Sequence, residues 1–415
     1  MGGEPVTLAG REYPFPETPV VAVCVDGSEP AYHERAIAAG RMPYLERLAG
    51  SEAGSVGTAT SAMPSFTNPN NISIATGAPP AVHGICGNYF YDAERGEEVM
   101  MNSPELLRSP TLFAAFSRVG ARVAVVTAKD KLRRLLGAGL RDGVCFSAEH
   151  ASRASLAENG VERVLDLVGL PQPEVYSADL SEFVLAAGVR LMERDRPDLV
   201  YLSLTDYIQH KHAPGSPVAN DFYAMLDGYL QELDALGVVL VVTGDHGMNR
   251  KSDAEGRPNV VYAQRLLDEA LGEGRSRVVL PITDPYTVHH GALGSFATIH
   301  LPEPGDVAAA RSVLASTPGV AEVLGRAEAA AAFELPPDRI GELVALAERD
   351  TVIGTAEDRH DLSQLREPLR SHGGRTEQRV PLILNRPMTR LPPTHEPRNY
   401  DAYWLALNHV ARSPA

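Results

Sequence analysis

The sequence predicts an α/β protein with a three-layer α/β/α core, a mostly parallel sheet and a smaller α+β cap domain. Two observations support this prediction. Short apolar runs without polar alternation recur through the first 250 residues, which is typical of strands that are buried on both faces of a parallel sheet. Segments with apolar residues at helical spacing lie between these runs, so that strands and helices alternate along the chain.

Four buried strands are predicted in this first part of the chain. The run VVAVCV at residues 20–25 is bounded by Pro19 and by Asp26-Gly27, and similar runs occupy residues 121–127, 199–204 and 238–243. Helices are expected between them, at residues 42–49, 112–119, 183–195 and 222–235. This order of elements predicts parallel strands with helices on both faces of the sheet.

The pattern changes after about residue 255. A helix at 259–271 is followed by predicted strands at 277–282 and 295–300, helices at 307–317 and 326–333, and strand-like or mixed segments at 343–349 and 351–353. One more core strand is expected at 380–384. We therefore predict a core formed by residues 1–255 and 366–415, with residues 256–365 inserted as a cap that offers His289 and His290 as candidates for substrate contact.

Composition argues against some classes of protein. The net charge of −15 argues against a nucleic-acid partner, because no basic surplus is present to neutralise phosphates. Cys24, Cys86 and Cys145 form no disulfide framework and indicate a reducing compartment. The N-terminus does not resemble a secretory signal, and no apolar run approaches the length of a membrane span. We therefore expect a soluble, cytoplasmic protein without a membrane partner; the sequence is compatible with a homodimer.

Three carboxylates and three imidazoles occur in an order that fits a pair of divalent metal ions. Carboxylate oxygens and neutral imidazole nitrogens are the ligands that catalytic zinc sites use. Most of these residues follow a predicted strand, the position at which α/β proteins place their chemistry. The six residues are Asp26, Asp206, His210, Asp245, His246 and His372.

Each of these residues also has a simpler explanation. An Asp-X-X-X-His pair is usually an exposed helix pair, an Asp after a strand is often a helix cap, and a His before two glycines is most often a loop residue. Four such places in one chain, each at a strand end or a glycine-rich loop, favour metal ligation instead. Asp206 and His210 reach one ion if the chain turns helical after Leu204.

A polar segment between the first two ligand clusters offers a nucleophile. The segment MPSFTNPNNISIATG begins at Met63 and contains Thr67, whose hydroxyl is a weak nucleophile unless metal coordination lowers its pKa. A Thr at a helix N-terminus also has backbone N–H groups nearby that hold an anionic group. The alternative is that Thr67 is only the N-cap of a polar helix.

These motifs resemble those of the alkaline phosphatase superfamily, and within it the phosphonoacetate hydrolase family. Residues 67–70 (TNPN) and 74–77 (IATG) are similar to the nucleophile helix shared with nucleotide pyrophosphatase/phosphodiesterases, and residues 83–89 (HGICGNY) are similar to the loop that follows. The resemblance extends from Asp26 to Gly247 and includes His372, with ligand order and spacing in agreement. It implies an alkaline phosphatase-like core.

The resemblance also implies a role for each matched residue. Thr67 would be the nucleophile, and Asn88 would donate a hydrogen bond to a phosphonate oxygen. Manganese and iron are alternatives to zinc as the metal. The ligands would be divided between two zinc ions, the first held by Asp206, His210 and His372 and the second by Asp26, Asp245, His246 and Thr67.

Lys129 and Lys131 indicate the substrate. In the phosphonoacetate hydrolase family such lysines bind the substrate carboxylate, and here they follow the predicted strand 121–127. The alternative is a solvated basic patch that continues into Arg133-Arg134. Asn68 stands where the phosphodiesterases usually have an aromatic residue, and the loss of that stacking surface fits a small substrate better than a nucleotide.

Together these features predict a di-zinc hydrolase that cleaves the carbon–phosphorus bond of phosphonoacetate, a small-molecule phosphonate, through a phospho-threonine intermediate. The alternative enzyme is a phosphodiesterase or nucleotide pyrophosphatase on the same scaffold, which would have an aromatic slot for a base. A nucleotide-binding module without catalysis is an alternative of another class. Against it, Asp26-Gly27-Ser28 follows the first strand in place of a glycine-rich dinucleotide or P-loop motif.

Overall fold

The computed structural model describes residues 3–282, 293–363, 365–389, 391–392 and 394–411, so that His289 and His290 lie outside the described residues. The strands are β1 (Val6–Leu8), β2 (Arg11–Tyr13), β3 (Val20–Cys24), β4 (Ser55–Thr60), β5 (Tyr89–Asp92), β6 (Glu97–Met100), β7 (Val123–Thr127), β8 (Val144–Ser147), β9 (Leu199–Ser203), β10 (Val239–Thr243), β11 (Asn249–Arg250), β12 (Val260–Tyr262), β13 (Arg277–Val279), β14 (Phe296–His300), β15 (Val320–Gly325), β16 (Leu343–Ala347), β17 (Val352–Gly354), β18 (Arg370–Ser371) and β19 (Arg379–Leu384).

The helices alternate with the strands through the first part of the chain, as the sequence predicts. They are α1 (Pro30–Ala38), α2 (Pro43–Ala49), α3 (Thr67–Thr76), α4 (Pro80–His83), α5 (Leu112–Arg118), α6 (Asp130–Leu136), α7 (Leu156–Asn159), α8 (Val164–Val168), α9 (Asp179–Arg194), α10 (Tyr207–Lys211), α11 (Pro217–Ala235), α12 (Ala263–Leu271), α13 (Val307–Ala315), α14 (Arg326–Phe333) and α15 (Ala402–Asn408). Among the described residues, no helix is both long and apolar enough to span a membrane.

The described residues contain a central seven-stranded sheet with the order β4-β19-β10-β3-β9-β7-β8. The strands from β10 to β8 pair in parallel, whereas β19 pairs antiparallel with β10 and β4. Every residue of β3, β7, β9 and β10 is buried, as expected for strands that are covered on both faces. The predicted α/β class and its mostly parallel sheet are therefore confirmed.

Alternate residues of the central strands face two different hydrophobic clusters, which makes the core three-layered. On β3, Val20 and Ala22 belong to a cluster that includes residues of α3, α5, α6 and α15. Val21 and Val23 belong to a second cluster, with residues of α1, α2, α9 and α11. The uninterrupted apolar strands are thus explained by helices on both sides of the sheet.

A second, antiparallel sheet lies within the predicted insertion, with the strand order β13-β14-β16-β15. One face packs against α12 and α13 through Leu267, Ile299 and Leu314. The other face contributes Phe296 and Val344 to the cluster that also includes β3 and α3. The insertion therefore packs directly on the core, and its limits of 256–365 stay a prediction.

One predicted helix begins later than expected, and two strands of the central sheet were not predicted. The helix expected at 259–271 begins only at Ala263, because Val260–Tyr262 forms β12 and pairs in parallel with β17; β-branched and aromatic residues favour such a strand. Strand β4 was not predicted, since it is an edge strand with few buried residues. Strand β8 was not predicted because Val144–Ser147 is too short to show a clear period.

Candidate active site

The predicted ligands of the first part of the chain converge at one edge of the central sheet. Asp26 follows β3, Asp206 follows β9 and directly precedes α10, and Asp245-His246 follow β10. These three strands are neighbours and run parallel, so their carboxyl ends lie side by side. His372 reaches the same place from the loop after β18. The order of elements in the sheet thus brings together residues that are up to 346 positions apart.

All six predicted ligands are buried, with no more than 4% of any residue exposed. Ligand atoms of Asp206, His246 and His372 lie within 4.8 Å of one another, and so do those of Asp26, Asp245 and His246. His210 joins the first group, because its Nε2 lies 2.9 Å from Asp206 Oδ2. Since His246 belongs to both groups, the arrangement fits two adjacent cations.

Each of the three imidazoles is oriented by a backbone carbonyl at Nδ1. A carbonyl only accepts, so Nδ1 carries the proton and Nε2 presents its lone pair. Histidines that bind metal are oriented by partners of this kind. The pairs are His210 with the Arg370 carbonyl at 3.1 Å, His246 with that of Gly247 at 2.9 Å, and His372 with that of Ser65 at 2.8 Å.

The electrostatics of the carboxylates also favour a bound cation. Burial, together with Asp206 and Asp245, raises the pKa of Asp26 to about 8, and burial with Asp206 nearby raises the pKa of Asp245 to about 7. The oxygens of Asp26 accept no hydrogen bond from the described residues. His246 Nε2 lies 3.2 Å from Asp26 Oδ1. A cation between them would satisfy both atoms.

Thr67 is the first residue of α3 and lies against this cluster. The preceding Phe66 is extended, and the helix begins at Thr67 itself, so the N-cap explanation for Thr67 does not apply. Thr67 Oγ1 lies 3.4 Å from His246 Nε2. The hydroxyl is therefore within reach of the same cations that the ligands would hold, at the N-terminal end of a helix.

Asn88 lies beside Thr67, although the two are 21 residues apart in the sequence. Its Oδ1 accepts a hydrogen bond from the Asn68 backbone N–H at 3.3 Å, and its side chain is buried. The Asn68 side chain donates to the Met101 carbonyl at 3.0 Å. These bonds connect the start of α3 to the segment around Asn88, which places the Asn88 amide group at the N-terminal end of the helix that begins at Thr67.

The two lysines differ in their position. Lys129 Nζ lies 3.2 Å from Asp206 Oδ1 and 4.0 Å from Asp26 Oδ2, so its ammonium group reaches the ligand cluster. Burial opposes ionisation of Asp206, but the positive charge of Lys129 helps to hold its pKa well below the ordinary value. Lys131 is exposed on the first turn of α6. The structure therefore brings Lys129, and not Lys131, to the predicted metal ligands.

A sequence model described as type I phosphodiesterase/nucleotide pyrophosphatase matches residues 20–375. The chain belongs to this family. The resemblance to the alkaline phosphatase superfamily, which includes the family, is thereby confirmed. The match begins at the strand that precedes Asp26 and ends after His372, so it includes each of the predicted ligands.

Two solved structures are similar to this phosphodiesterase-family chain over nearly its whole length. Both are phosphonoacetate hydrolase from Sinorhizobium meliloti 1021, one in complex with phosphonoformate and one with phosphonoacetate. Each is 57% identical and covers 99% of this chain and 100% of its own, with TM-scores of 0.95 and 0.94. Murine ectonucleotide pyrophosphatase/phosphodiesterase 5, with 18% identity over 96% of this chain and 97% of its own, shares the fold at a TM-score of 0.63.

A curated relative is more distant. An uncharacterized pyrophosphatase/phosphodiesterase of Schizosaccharomyces pombe is 25% identical over 249 residues, which are 57% of this chain and 46% of that protein. This phosphodiesterase-family chain thus spans about half the length of the curated relative that it matches.

Asn70 and Asn71 are site residues that the sequence analysis missed. Asn71 Nδ2 donates to the Thr67 carbonyl at 3.0 Å and to Asp245 Oδ2 at 3.1 Å. Asn70 Nδ2 donates to three backbone carbonyls of residues 62–66, and so organises the segment before Thr67. A signal was present, because Asn71 follows Thr67 by four residues and therefore lies on the same side of a helix.

Proposed function

We propose that this chain is a metal-dependent phosphonoacetate hydrolase, which converts phosphonoacetate and water to acetate and phosphate. One observation carries the chemistry: three imidazole Nε2 atoms and three buried carboxylates converge beside the hydroxyl of Thr67. Phosphonoacetate is the proposed substrate because this chain is 57% identical, over 99% of its length, to an enzyme whose crystal structure contains phosphonoacetate.

The metal is proposed to be zinc, with two ions per chain and with manganese or iron as alternatives. Zinc binds nitrogen and oxygen donors of this kind. Two ions are proposed because the ligand atoms form two groups that overlap at His246. Two divalent ions against three carboxylates leave about one positive charge, which attracts a phosphonate dianion. The proposed ligands are Asp206, His210 and His372 for one ion and Asp26, Asp245, His246 and Thr67 for the other.

Thr67 is the proposed nucleophile. Bound zinc would supply positive charge that lowers the pKa of the Thr67 hydroxyl and offsets the charge on the phosphonate oxygens. Thr67 Oγ1 then attacks phosphorus in line with the carbon that leaves, while the Asn88 amide donates to an equatorial oxygen. The P–C bond breaks, a phospho-threonine forms, and its hydrolysis by water returns the hydroxyl of Thr67 and releases phosphate.

The leaving group places a specific demand on the protein. The departing CH2–COO⁻ fragment is tolerable only as an enolate, which then takes a proton from water to give acetate. A positive group at the substrate carboxylate stabilises that enolate. Lys129 is the proposed group, because its Nζ lies 3.2 Å from Asp206 Oδ1 at the site. When substrate binds, the ammonium group would leave Asp206 and pair with the substrate carboxylate. Lys131, on the exposed start of α6, would assist from the solvent side.

The insertion at 256–365 is proposed to cover this site. Phe296 of β14 packs edge-to-face on Phe66, the residue before Thr67, with ring centroids 6.1 Å apart. The inserted sheet therefore supports the segment that presents the nucleophile. We also propose a cytoplasmic location, which is consistent with the free and buried state of Cys24, Cys86 and Cys145.

A comparison of two substrates tests the proposal against the phosphodiesterase alternative. Purified protein with zinc would receive phosphonoacetate or an aryl phosphodiester at equal concentrations, and the initial rates would be compared. We expect a kcat/KM for phosphonoacetate that is at least about a hundred times that for the diester, since only the former offers a carboxylate to Lys129. Preference for the diester would overturn the proposal and leave a phosphodiesterase.

A further inference from the structure

A buried ion pair joins the loop that carries His246 to the loop that carries His372. Lys251 Nζ lies 2.9 Å from Glu377 Oε1, and neither side chain is exposed to solvent. Lys251 follows His246 by five residues, and Glu377 follows His372 by five residues. The ion pair and the stacked imidazoles of His246 and His372 therefore join the same two loops.

Every charged atom of this pair has further partners. The Glu377 carboxylate also accepts from Asn249 Nδ2 at 2.5 Å and from the Gly374 N–H at 2.9 Å, while Lys251 Nζ donates to the Arg349 carbonyl at 2.7 Å. Burial raises the pKa of Glu377, but Lys251 and the side-chain donors outweigh it and lower that pKa. Burial lowers the pKa of Lys251 against the attraction of Glu377. These donors favour the ionised carboxylate, whose negative charge the ammonium group of Lys251 balances.

Backbone bonds between the two loops surround the pair. Strand β11 pairs antiparallel with β18. The Gly247 N–H donates to the Glu377 carbonyl at 2.6 Å, and the Lys251 N–H donates to the Leu369 carbonyl at 2.7 Å. The two loops are thus connected on both sides of the ion pair, close to the point where the rings of His246 and His372 stack at 3.6 Å.

We propose that Lys251 and Glu377 are positioning residues, which fix the His246 loop against the His372 loop and thereby set the affinity of the site for zinc. The inference rests on the proposed metal ligation by these two histidines. A buried ion pair is a poor source of stability, because desolvation of the charges offsets their attraction. Its geometry is demanding, however: the charges meet only when both loops are in place, so the pair specifies one arrangement of the ligands.

The test separates positioning from stability by comparing single and double variants. Lys251→Met leaves Glu377 buried without its cation, and Glu377→Gln leaves Lys251 without its anion, so each single variant should unfold at a lower temperature. The double variant Lys251→Met/Glu377→Gln carries neither charge and should regain most of the unfolding midpoint. Zinc affinity would be measured for each protein by competition with a chelating dye.

We expect the double variant to bind zinc at least about tenfold more weakly than the wild type, although it is folded. An exposed pair, Arg163 and Asp166 at 2.8 Å, supplies the matched control, since Arg163→Met/Asp166→Asn should leave zinc affinity unchanged. Wild-type zinc affinity in the folded double variant would overturn the inference. Glu377→Gln is the milder change, because it keeps an oxygen acceptor for Asn249. Wild-type zinc affinity in this single variant would also overturn the inference.

A parallel measurement separates this inference from the proposed function. His372→Ala should lose zinc affinity whatever the role of the ion pair. If His372→Ala binds zinc as tightly as the wild type, the proposed ligation fails. If His372→Ala binds weakly and the folded double variant binds normally, only the positioning role of Lys251 and Glu377 fails.

Discussion

The imidazole of His372 lies flat on the imidazole of His246, with ring centroids 3.6 Å apart and planes inclined by 6°. Two protonated rings would repel each other in this arrangement. Burial, together with His246 and His210 nearby, holds the pKa of His372 well below its ordinary value. The Nδ1 atoms of both rings face backbone carbonyls, and a ring that donates its Nδ1 proton there presents the Nε2 lone pair to a cation. The geometry of the stacked pair therefore fits the proposed binding of metal.

Replacement of Thr67 should abolish turnover without removing the metal. We expect Thr67→Ala to lower the kcat for phosphonoacetate by about a thousandfold or more, because the variant lacks the hydroxyl that lies 3.4 Å from His246 Nε2. Thr67→Ser, which keeps a hydroxyl, should retain measurable turnover. Zinc content, measured by atomic absorption, should stay near the wild-type value in both. Turnover of Thr67→Ala within tenfold of the wild type would remove Thr67 from the nucleophile role.

Lys129 should matter for substrates that carry a carboxylate. We expect Lys129→Met to lower kcat/KM for phosphonoacetate by about a hundredfold, which corresponds to the loss of one charge-assisted hydrogen bond. An aryl phosphate ester should be affected much less. The matched variant Lys131→Met should have a smaller effect, because Lys131 is exposed on α6. Equal losses for both substrates in Lys129→Met would contradict the carboxylate role.

The affinity for metal should rise steeply with pH. In the metal-free protein the pKa of Asp26 is about 8 and that of Asp245 is about 7. A cation must displace these protons, so below pH 7 the affinity should rise by up to about a hundredfold per pH unit and then level off above pH 8. Competition titrations with zinc at four pH values check this. Asp26→Asn should have a shallower slope, and an affinity independent of pH would contradict the prediction.

The stability of the metal-free protein should fall as pH rises. A carboxyl whose folded pKa exceeds its unfolded value keeps a proton that the unfolded chain has already released, so the free energy of unfolding decreases with pH until the folded pKa is passed. Between pH 6.5 and 8.0 we expect a decrease of up to about 1.4 kcal/mol per pH unit for each such carboxyl, Asp26 and Asp245.

Urea unfolding at pH 6.5 and 8.0, with chelator present, measures this change. The buried His33 and His83, whose pKa values burial lowers to about 4 and about 3, gain protons on unfolding only up to about their ordinary pKa of 6.5. They therefore oppose the decrease only in the lower part of this window, by less than the two carboxyls contribute. Asp26→Asn should lose its share of the pH dependence. A metal-free protein that is more stable at pH 8.0 than at pH 6.5 would refute the electrostatic account of the cluster.

Asn71 should contribute to both stability and rate. Its Oδ1 accepts from the Tyr201 and Ser203 hydroxyls at 2.7 and 2.8 Å, so Asn71→Ala leaves buried donors without an acceptor. We expect a loss of about 1–3 kcal/mol in the free energy of unfolding. A fall in kcat of about tenfold or more should accompany it, because Thr67 and Asp245 lose a shared donor.

Denaturant unfolding and steady-state kinetics check the two effects of Asn71→Ala. Asn408→Ala is the matched control, since within the described part of the chain the exposed Asn408 side chain donates only to backbone carbonyls. This variant should change stability by less than about 0.5 kcal/mol. If Asn71→Ala keeps wild-type stability and kcat, the hydrogen-bond network around Thr67 has no functional role.

The ligands after the central strands were predictable from sequence because parallel order forces strand ends together. Asp26 and Asp245 follow uninterrupted apolar runs, and no other information was needed to expect them at one edge of the sheet. Their division between two ions stays a prediction. The nucleophile depended on the resemblance as well, since Thr67 by itself resembles a helix cap.

The supporting network could not be predicted. Lys251 lies in the polar run RKSD, which is typical of a surface loop, and it is buried only because Glu377 and the Arg349 carbonyl meet it from distant parts of the chain. Strand β4 was missed for a related reason, because its exposed edge leaves no apolar pattern. Hydrophobic periodicity in a sequence indicates which apolar side chains are buried. It gives no signal for charged side chains that are buried as ion pairs.

The balance of products from phosphonoacetate, measured against metal content, tests the central claim most directly. Protein stripped by a chelator, and the same protein after addition of zinc, would be incubated with phosphonoacetate while acetate and phosphate are both quantified. We predict equal amounts of the two products from the zinc-loaded protein, almost none from the stripped protein, and recovery when about two zinc ions per chain are bound. Undiminished phosphate release by the stripped protein, or no acetate from the zinc-loaded protein, would contradict the account.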